Sequence, residues 1–387
     1  MANLPDENDR LRAGTLPDDP EADAEVMLGE DELLRVAQRA ATVEALQRQR
    51  VGTFLAPALA RMRARALDQE RPIALPWPSM NDALAGGFWP GLHVLVGNTG
   101  TGKSQWALQG ALHAARNGIP VLYIGLELGD LDLVARLLGL VTQRKWSRLF
   151  LGRDSNGKPN VAELDAVEDQ HAEQLGELAT MPFHLEVCPP MGWSYGSLYE
   201  KAAAMRAIYP EALGPDGAPR RGSRPFLVVL DFLQLVASPE GREREDLRER
   251  IGRAAYAGRA VARDLDAAVV LVSSTSRENY GTLDGVTGGK EGGKEGSGKE
   301  KITPGTTPVH RLVGFGKESG EVEYAADSVI VFVRENGDDK CDGFTSMHLA
   351  IAKTRARSET AGNGWVKLRF NGGWFEEPRA LERGVSG

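Results

Sequence analysis

Cysteine is almost absent from this sequence, with only Cys188 and Cys341 among 387 residues. The two cysteines stand far apart in the chain, and their spacing matches no metal-ligand motif. A disulfide framework and a cysteine-based zinc site are therefore excluded as organising features. Because sparse cysteine is typical of a reduced protein, we expect a cytoplasmic location.

Long apolar runs are lacking as well. No stretch approaches the roughly 20 consecutive apolar residues that a membrane-spanning helix needs. Residues 1–31 are acidic and rich in proline, unlike the basic and then apolar layout of a secretory signal. We therefore expect neither a membrane segment nor a membrane partner.

An excess of basic residues is the third absence. Lysine and arginine number 46 against 54 acidic residues, which gives a formal net charge of −8. This balance excludes a uniformly basic coat for nucleic acid, but it leaves room for a local basic channel, because binding follows the local field. With 42% hydrophobic and 26% charged residues, the chain is typical of a soluble protein with one large α/β domain and a smaller appendage.

The strongest positive signal is a glycine-rich turn of the form G-x-x-x-x-G-K-[ST]. An apolar run, His93–Val96, leads into the turn, and an apolar-periodic helix follows it, which is the context of a phosphate-binding loop. Glycines let backbone N–H groups converge on an anion, and the start of the helix adds its positive dipole end. The predicted ATP-binding residues are Gly97, Asn98, Thr99, Gly100, Thr101, Gly102, Lys103, Ser104 and Gln105.

Two residues of this loop have distinct predicted roles. Lys103 is expected to reach the terminal phosphates as a point charge, and the Ser104 hydroxyl is expected to bind Mg²⁺. ATP and Mg²⁺ are therefore the predicted cofactors.

Two carboxylates follow apolar strands. The run Phe226–Leu230 delivers Asp231, which is the expected magnesium-side partner of a phosphate loop. A strand predicted at Ile119–Leu128 carries Glu127 near its end, where a base would activate an attacking water. From the residues alone, an ordinary surface glutamate at a strand end is an equal alternative.

The rest of the chain divides by composition. Residues 1–28 predict a disordered acidic tail, 29–70 a helical extension, and 71–387 the ATPase domain. The apolar stripe of the extension packs either on its own core or on a neighbouring subunit. Residues 281–301 contain little besides glycine, lysine, glutamate and serine, so we expect a flexible insertion.

Apolar periodicity predicts the remaining elements. Helices are expected at Gly129–Val141, 144–180, Ser194–Ile208 and Arg242–Asp266, and strands at Phe183–Val187, Ala267–Ser274, Tyr324–Val333 and Met347–Ala352, with a hairpin over Trp365–Phe375. Alternating strands and helices of this kind indicate an α/β fold with a doubly wound, mostly parallel sheet and a C-terminal β-hairpin.

Several stretches together resemble the ATPase domain of the DnaB-type hexameric replicative helicases, a RecA-like fold, over residues 77–377. They are Gly87-Phe88-Trp89-Pro90-Gly91 (similar to G-F-x-P-G), Leu126-Glu127-Leu128 with Arg136 (similar to S-L-E-M and its arginine), Asp231-Phe232-Leu233-Gln234-Leu235 (similar to D-Y-L-Q-L), and Lys317-Glu318-Ser319-Gly320 with Ala326-Asp327 and Lys353-Thr354-Arg355 (similar to R-E-S-G, A-D and K-Q-R). The D-F-L-Q-L string is the most discriminating of them.

The resemblance implies roles that the residues alone do not. Asp231 supports the metal and Glu127 activates water. Lys353 and Arg355 reach across a subunit boundary to the γ-phosphate of the neighbour, where positive charge stabilises the transition state. Without the resemblance, these two residues read as an exposed basic turn. The implied assembly is a homo-oligomer, a hexameric ring on single-stranded DNA.

The sequence also departs from the family. Where the family has S-Q-x-N-R, this chain has Ser273-Ser274-Thr275-Ser276-Arg277, so Ser274 stands at the position of the glutamine that senses the γ-phosphate. The candidates for DNA contact are Arg277, Lys290, Lys294 and Lys299. Glutamates match the lysines of the insertion nearly one for one, so a solvated loop is the alternative.

Three functions are compatible with these motifs. The first is a ring-forming, Mg²⁺-ATP-driven motor on single-stranded DNA, a DnaB-like helicase. The alternative is a RecA-type DNA-dependent ATPase that acts as a recombination mediator or loader without unwinding. A nucleotide-gated scaffold that barely hydrolyses ATP is the third, and Glu127 argues against it.

Overall fold

The computed structural model describes residues 30–187, 193–214, 217, 219–242, 244–275, 284–287, 302–315, 320–336, 343–355 and 363–378. The predicted acidic tail, 1–28, lies outside them. The chain divides into two units, Met1–Arg63 and Ala64–Gly387. Among the described residues, no helix is both long and apolar enough to cross a membrane.

The predicted helical extension forms two helices, α1 (Glu30–Arg48) and α2 (Val51–Ala66). Eight of their apolar side chains are at least half exposed, so the two helices do not cover these eight side chains with each other. The exposed residues are Leu34, Val43, Leu46, Val51, Phe54, Leu55, Leu59 and Met62.

A sheet of ten strands organises the described part of the second unit. The strands are β1 (Gly91–Gly97), β2 (Val121–Gly125), β3 (Phe183–Val187), β4 (Leu227–Asp231), β5 (Ala268–Ser274), β6 (Asp284–Thr287), β7 (Ser328–Asn336), β8 (Thr345–Thr354), β9 (Trp365–Phe370) and β10 (Phe375–Glu376). Their order is β10-β9-β8-β7-β1-β5-β4-β2-β3, and β6 pairs with β7. All neighbours in the run β7-β1-β5-β4-β2-β3 are parallel, whereas β8, β9 and β10 add antiparallel pairs.

Helices cover both faces of the sheet, as a doubly wound fold requires. They are α3 (Pro78–Ala83), α4 (Lys103–Arg116), α5 (Asp130–Thr142), α6 (Trp146–Leu151), α7 (Ala162–Gln170), α8 (Ala172–Thr180), α9 (Gly196–Ile208), α10 (Leu247–Asp264) and α11 (Gly320–Ala325), with 3-10 turns at Leu233–Leu235 and Val309–Leu312. The predicted RecA-like α/β fold, with its C-terminal hairpin and N-terminal helices, is confirmed.

Strand β1 has every residue buried because it lies between two cores. Val94 and Val96 pack toward α9, α10 and α11, whereas Leu95 packs toward α3, α4 and α5. A central parallel strand covered on both faces is apolar throughout, which explains the run before the glycine-rich turn. Because alternate side chains of β1 pack in the two cores, the strand is held on both faces and its carboxyl end supports the site.

The registers bring the ends of the inner strands to one edge. Gly97 of β1 pairs with Ser274 of β5, and Gly125 of β2 pairs with Asp231 of β4. Strands β5 and β4 separate β1 from β2, so the chain changes direction in the sheet next to β1. Ligands of open α/β sheets bind outside the carboxyl ends of the strands at such a point.

Three predicted elements differ from the structure. Tyr324, predicted to open a strand, lies in α11, because Val322 and Ala325 are buried at helical spacing while Tyr324 is 82% exposed. Strand β2 ends at Gly125, so Glu127 lies in the turn that follows. The insertion predicted as flexible contains β6 at Asp284–Thr287, and its lysine-rich part lies outside the described residues.

Candidate nucleotide-binding site

The glycine-rich turn joins β1 to α4 and contains two glycines in the left-handed region. Gly100 and Gly102 have φ angles of 82° and 84°, which glycine adopts without a steric penalty. A Cβ atom on Gly102 would lie 2.8 Å from Cζ of Phe375, so packing requires glycine there too. A Cβ on Gly100 would meet nothing within 4 Å, so the loop is open on that side.

The Lys103 ammonium lies inside the loop. Its Nζ donates hydrogen bonds to the carbonyl oxygens of Gly97 and Asn98, each at 2.8 Å. Burial lowers the pKa of Lys103 to about 8, although the charges of Asp231 and Glu127 oppose this shift. The loop therefore holds a positive charge where a phosphate would approach.

Asp231 is the centre of a buried hydrogen-bond network. Its Oδ1 accepts from Ser104 Oγ at 2.9 Å, and its Oδ2 accepts from Tyr123 Oη at 2.7 Å. Burial raises the pKa of Asp231, whereas the two hydrogen bonds lower it. Since the Ser104 hydroxyl donates its hydrogen bond to Asp231, the lone pairs of its oxygen can face a cation.

Glu127 is exposed. Its position depends on a backbone hydrogen bond between the segment that follows β2 and the end of β4. The N–H of Leu126 donates to the carbonyl oxygen of Asp231 at 2.6 Å. The charge of Glu127 raises the pKa of Asp231, so its carboxylate lies within electrostatic range of that group. The structure thus brings Glu127, Lys103, Ser104 and Asp231 together at the predicted edge.

The other loop residues divide into exposed and buried ones. Thr99 and Gly100 are exposed, whereas Thr101 is buried and donates from Oγ1 to the Asn98 carbonyl oxygen at 2.8 Å. Gln105 is 1% exposed, and its side chain donates to the Gly373 carbonyl oxygen.

The C-terminal hairpin supports the start of α4 through glutamines. Gln109 accepts from the Phe375 N–H at 2.8 Å and donates to the Phe375 carbonyl oxygen at 2.9 Å. Gln105 Oε1 accepts from Nη1 of Arg136 at 3.1 Å. The Arg136 guanidinium in turn lies 3.8 Å from the ring centroid of Trp146. These contacts fix the helix that carries Lys103 and Ser104.

Lys353 and Arg355 lie at the opposite edge of the sheet. Thr354, between them, pairs with Ser328, and Ser328 pairs with His93 near the beginning of β1. His93 lies four residues before Gly97, which is about 13 Å along the strand, and β7 and β8 add further separation across the sheet. A single copy therefore does not bring Lys353 and Arg355 to its own glycine-rich loop.

Ser274 lies beside the loop, but its neighbour Ser273 carries the side-chain contact. Gln234 Nε2 donates to Ser273 Oγ at 2.8 Å, and the Ser274 N–H donates to Gln234 Oε1 at 3.4 Å. Gln234 thus links the segment after β4 to the end of β5. The proposed DNA-contact residues, Arg277, Lys290, Lys294 and Lys299, lie outside the described residues.

Tyr123 belongs to this site but is not among the site residues predicted from the sequence. The available signal was one hydroxyl inside the otherwise apolar strand β2, since a buried hydroxyl in such a strand needs a partner. Which partner it finds depends on the pairing of β2 with β4, and that pairing is not a local property of the sequence.

The sheet order and the two helical layers define a RecA-like α/β protein. The fold is similar to a solved structure described as an ATPase domain, with a TM-score of 0.61 and 17% sequence identity, covering 83% of this chain and 97% of that chain. It is also similar to a DnaB-like replicative helicase whose structure is described together with its interactions with primase, with a TM-score of 0.60 and 16% identity, covering 84% of this chain and 66% of that chain. No protein-family model and no curated protein matches the sequence. At such low identity, the likeness shows the fold.

Proposed function

We propose that this protein is a Mg²⁺-dependent ATPase of the helicase type, a ring-forming motor that acts on single-stranded DNA. The observation that carries the proposal is the 2.9 Å hydrogen bond from Ser104 Oγ to Asp231 Oδ1, beside the buried ammonium of Lys103. A hydroxyl and a carboxylate in this arrangement, next to a cationic loop, are the parts that phosphoryl transfer requires.

The residues present fit Mg²⁺ and a nucleotide. The open side of the loop at Gly100 and the start of α4 suit phosphate oxygens, and Lys103 supplies their counter-charge. Ser104 would ligate the metal directly, and Asp231 would orient Ser104. One hydroxyl and one carboxylate suit Mg²⁺, which takes its remaining ligands from phosphate and water. When bound, Mg²⁺ neutralises charge on the phosphoryl oxygens.

Glu127 supplies the base in this proposal. An exposed carboxylate beside Asp231 can accept a proton from a water molecule and return it to solvent. Its role is the feature that separates an ATPase from a scaffold that only binds nucleotide.

In this proposal two neighbouring copies share each active site, and one of them contributes Lys353 and Arg355. Because both lie at the edge opposite Lys103, their charges serve the site of another copy. A ring, hexameric in the DnaB-type assembly that the sequence resembles, closes such contacts without leaving an unsatisfied end. The exposed apolar side chains of α1 and α2 support docking of the extension, residues 29–70, on an adjacent copy.

A second candidate function is favoured by Ser274. The serine side chain is shorter than that of the glutamine at this position in the family pattern. The Ser274 N–H donates to Gln234. Weaker coupling between hydrolysis and movement would make the protein a DNA-dependent ATPase that acts as a recombination mediator or loader without unwinding.

The deciding experiment measures ATP hydrolysis with and without single-stranded DNA, together with the molar mass under ATP. We expect Mg²⁺-dependent turnover that DNA stimulates and a mass of several chains. Displacement of a labelled strand from a forked duplex supports the motor, whereas stimulated turnover without displacement supports the second candidate. Absence of turnover under all conditions contradicts both.

A further inference from the structure

We propose that Tyr123 is a positioning residue for Asp231: its hydroxyl hydrogen bond fixes the plane of the carboxylate so that one oxygen faces Ser104, and thereby determines how well the site holds Mg²⁺. This inference rests on the proposed function and deepens it. The Tyr123 hydroxyl donates to Asp231, which in turn accepts from Ser104, so we assign Tyr123 a role in positioning Asp231 and not in contacting the nucleotide.

The geometry divides the two carboxylate oxygens between two donors. Tyr123 Oη lies 2.7 Å from Oδ2, and Ser104 Oγ lies 2.9 Å from Oδ1. Rotation of the carboxylate would break both hydrogen bonds at once. The tyrosine ring is itself fixed, because it is fully buried and stacks on Phe183 with 6.2 Å between ring centroids and 20° between planes. The orientation of the Asp231 carboxylate therefore depends on Tyr123 of β2.

Burial makes Asp231 depend on its two donors. The residue is 1% exposed, so bulk water does not replace a hydrogen bond that the carboxylate loses. Without the Tyr123 hydroxyl, the carboxylate would be held only from the side of Ser104 and could turn out of its present plane.

Other charged groups also act on Asp231. Lys103 of α4 lowers the pKa of Asp231, whereas Glu127, in the turn after β2, raises it. Burial lowers the pKa of Arg136 on α5, and the charge of Asp231 is among those that oppose this shift, so this guanidinium also interacts with the carboxylate. Tyr123, in contrast, is a neutral donor to Asp231. Its contribution can therefore be removed without changing the net charge of the site.

The hydroxyl is not needed to fill space. The ring of Tyr123 packs within an apolar layer, and phenylalanine has the same ring. A buried hydroxyl destabilises an apolar strand unless it is hydrogen-bonded. Asp231 accepts this hydrogen bond. Each of the two groups therefore offsets part of the free energy that burying the other requires.

The test is Tyr123→Phe in the full-length chain. We measure the affinity for a fluorescent ATP analogue in Mg²⁺ and in EDTA. We expect the Mg²⁺-dependent gain in affinity to fall by about tenfold, as for loss of a hydrogen bond to a charged group, with affinity in EDTA unchanged.

Tyr195→Phe is the matched control. Tyr195 donates to Glu245 at 3.0 Å, so the change removes the same atom from another tyrosine–carboxylate pair. It should leave the Mg²⁺ dependence of nucleotide affinity as in the wild type. Thermal unfolding of both variants reports whether the fold is retained.

A double-mutant cycle separates positioning from a general effect on packing. In Asp231→Asn, the further change Tyr123→Phe should have no additional effect on Mg²⁺-dependent affinity. If Tyr123→Phe leaves the Mg²⁺ dependence of nucleotide affinity unchanged, or acts equally in Asp231→Asn, the positioning role is wrong while the proposed function stands. Wild-type protein that binds no nucleotide with Mg²⁺ refutes the proposed function, and the inference with it.

Discussion

Arg355 is held by Asp327 of its own chain through both its side chain and its backbone. Nη1 of Arg355 lies 2.9 Å from Oδ1 of Asp327, and the Arg355 N–H donates to the Asp327 carbonyl oxygen at 2.9 Å. Asp327 Oδ2 in turn accepts from the Leu92 N–H at 2.8 Å, where β1 begins. The guanidinium is therefore pre-oriented at an edge of the sheet, and its side chain is still 56% exposed.

Arg355→Ala should abolish turnover in a uniform assembly, because every site loses the cation that a neighbour supplies. Mixed with Glu127→Gln, which lacks the base but keeps Arg355, it should recover part of the turnover, since some interfaces then combine an intact base with an intact arginine. The measurement is ATP hydrolysis across a series of mixing ratios.

Arg259→Ala is the control for loss of structure around Asp327. Arg259 Nη1 also lies 3.3 Å from Asp327 Oδ2, so its removal disturbs the same carboxylate without removing Arg355. We expect this variant to retain turnover. A mixture of Arg355→Ala and Glu127→Gln that stays inactive at every ratio would mean that Arg355 does not act between copies.

The parts of the site that the sequence predicts are local in the chain. The turn between β1 and α4 carries its own signal, because glycines and flanking periodicity lie within one short stretch. Asp231 could also be predicted, because it comes directly after an apolar run in the sequence. The contacts that the sequence could not predict join distant segments: Tyr123 with Asp231, Gln234 with Ser273, and Arg355 with Asp327.

The strand predicted to begin at Tyr324 begins later in the structure, and this difference also has a physical reason. Residues Val322, Ala325 and Ala326 form a short apolar set that fits either a helix turn or the start of a buried strand. Packing of Val322 and Ala325 in the same core as α10 decides for the helix, and that information is tertiary. The strand begins only after Asp327, which closes the turn by donating its N–H to the Leu92 carbonyl oxygen at 2.7 Å.

Lys103→Ala should abolish ATP turnover and strongly weaken nucleotide binding while the fold is retained. The loop loses the cation that its carbonyl groups at Gly97 and Asn98 hold in place. Hydrolysis and binding of a fluorescent ATP analogue measure the effect, with circular dichroism for the fold. Lys158→Ala, at an exposed position, is the charge-matched control. Normal turnover in Lys103→Ala would refute the assignment of the site.

Nucleotide affinity should decrease as pH rises through about 8, the pKa to which burial lowers Lys103. Below this pH the free protein holds the charged ammonium, and above it the amine must take up a proton before it can pair with phosphate. Titration calorimetry at pH 8.5 in buffers of different ionisation enthalpy should therefore report proton uptake on binding. Lys103→Arg keeps its charge, so its affinity should depend less on pH. Equal pH dependence in both proteins would exclude Lys103 as the titrating group.

The same pKa shift affects the free energy of unfolding with a definite sign. Between pH 8 and 10.5 the unfolded chain keeps the Lys103 proton that the folded chain has lost. Stability therefore gains from this group as pH rises through that window. The nucleotide-binding prediction has the opposite direction, so the change in stability that Lys103 itself causes cannot account for the loss of affinity.

Glu127→Gln should bind nucleotide with Mg²⁺ at wild-type affinity and hydrolyse it more slowly by roughly a hundredfold or more, the usual contribution of a general base. Glutamine keeps the size of the side chain but cannot accept the proton of the attacking water. Glu173→Gln, an exposed carboxylate of α8, controls for the loss of one negative charge. Single-turnover hydrolysis beside a direct binding measurement separates the two effects. If turnover is unchanged, another group activates the water; if binding is lost as well, Glu127 supports the loop rather than the chemical step.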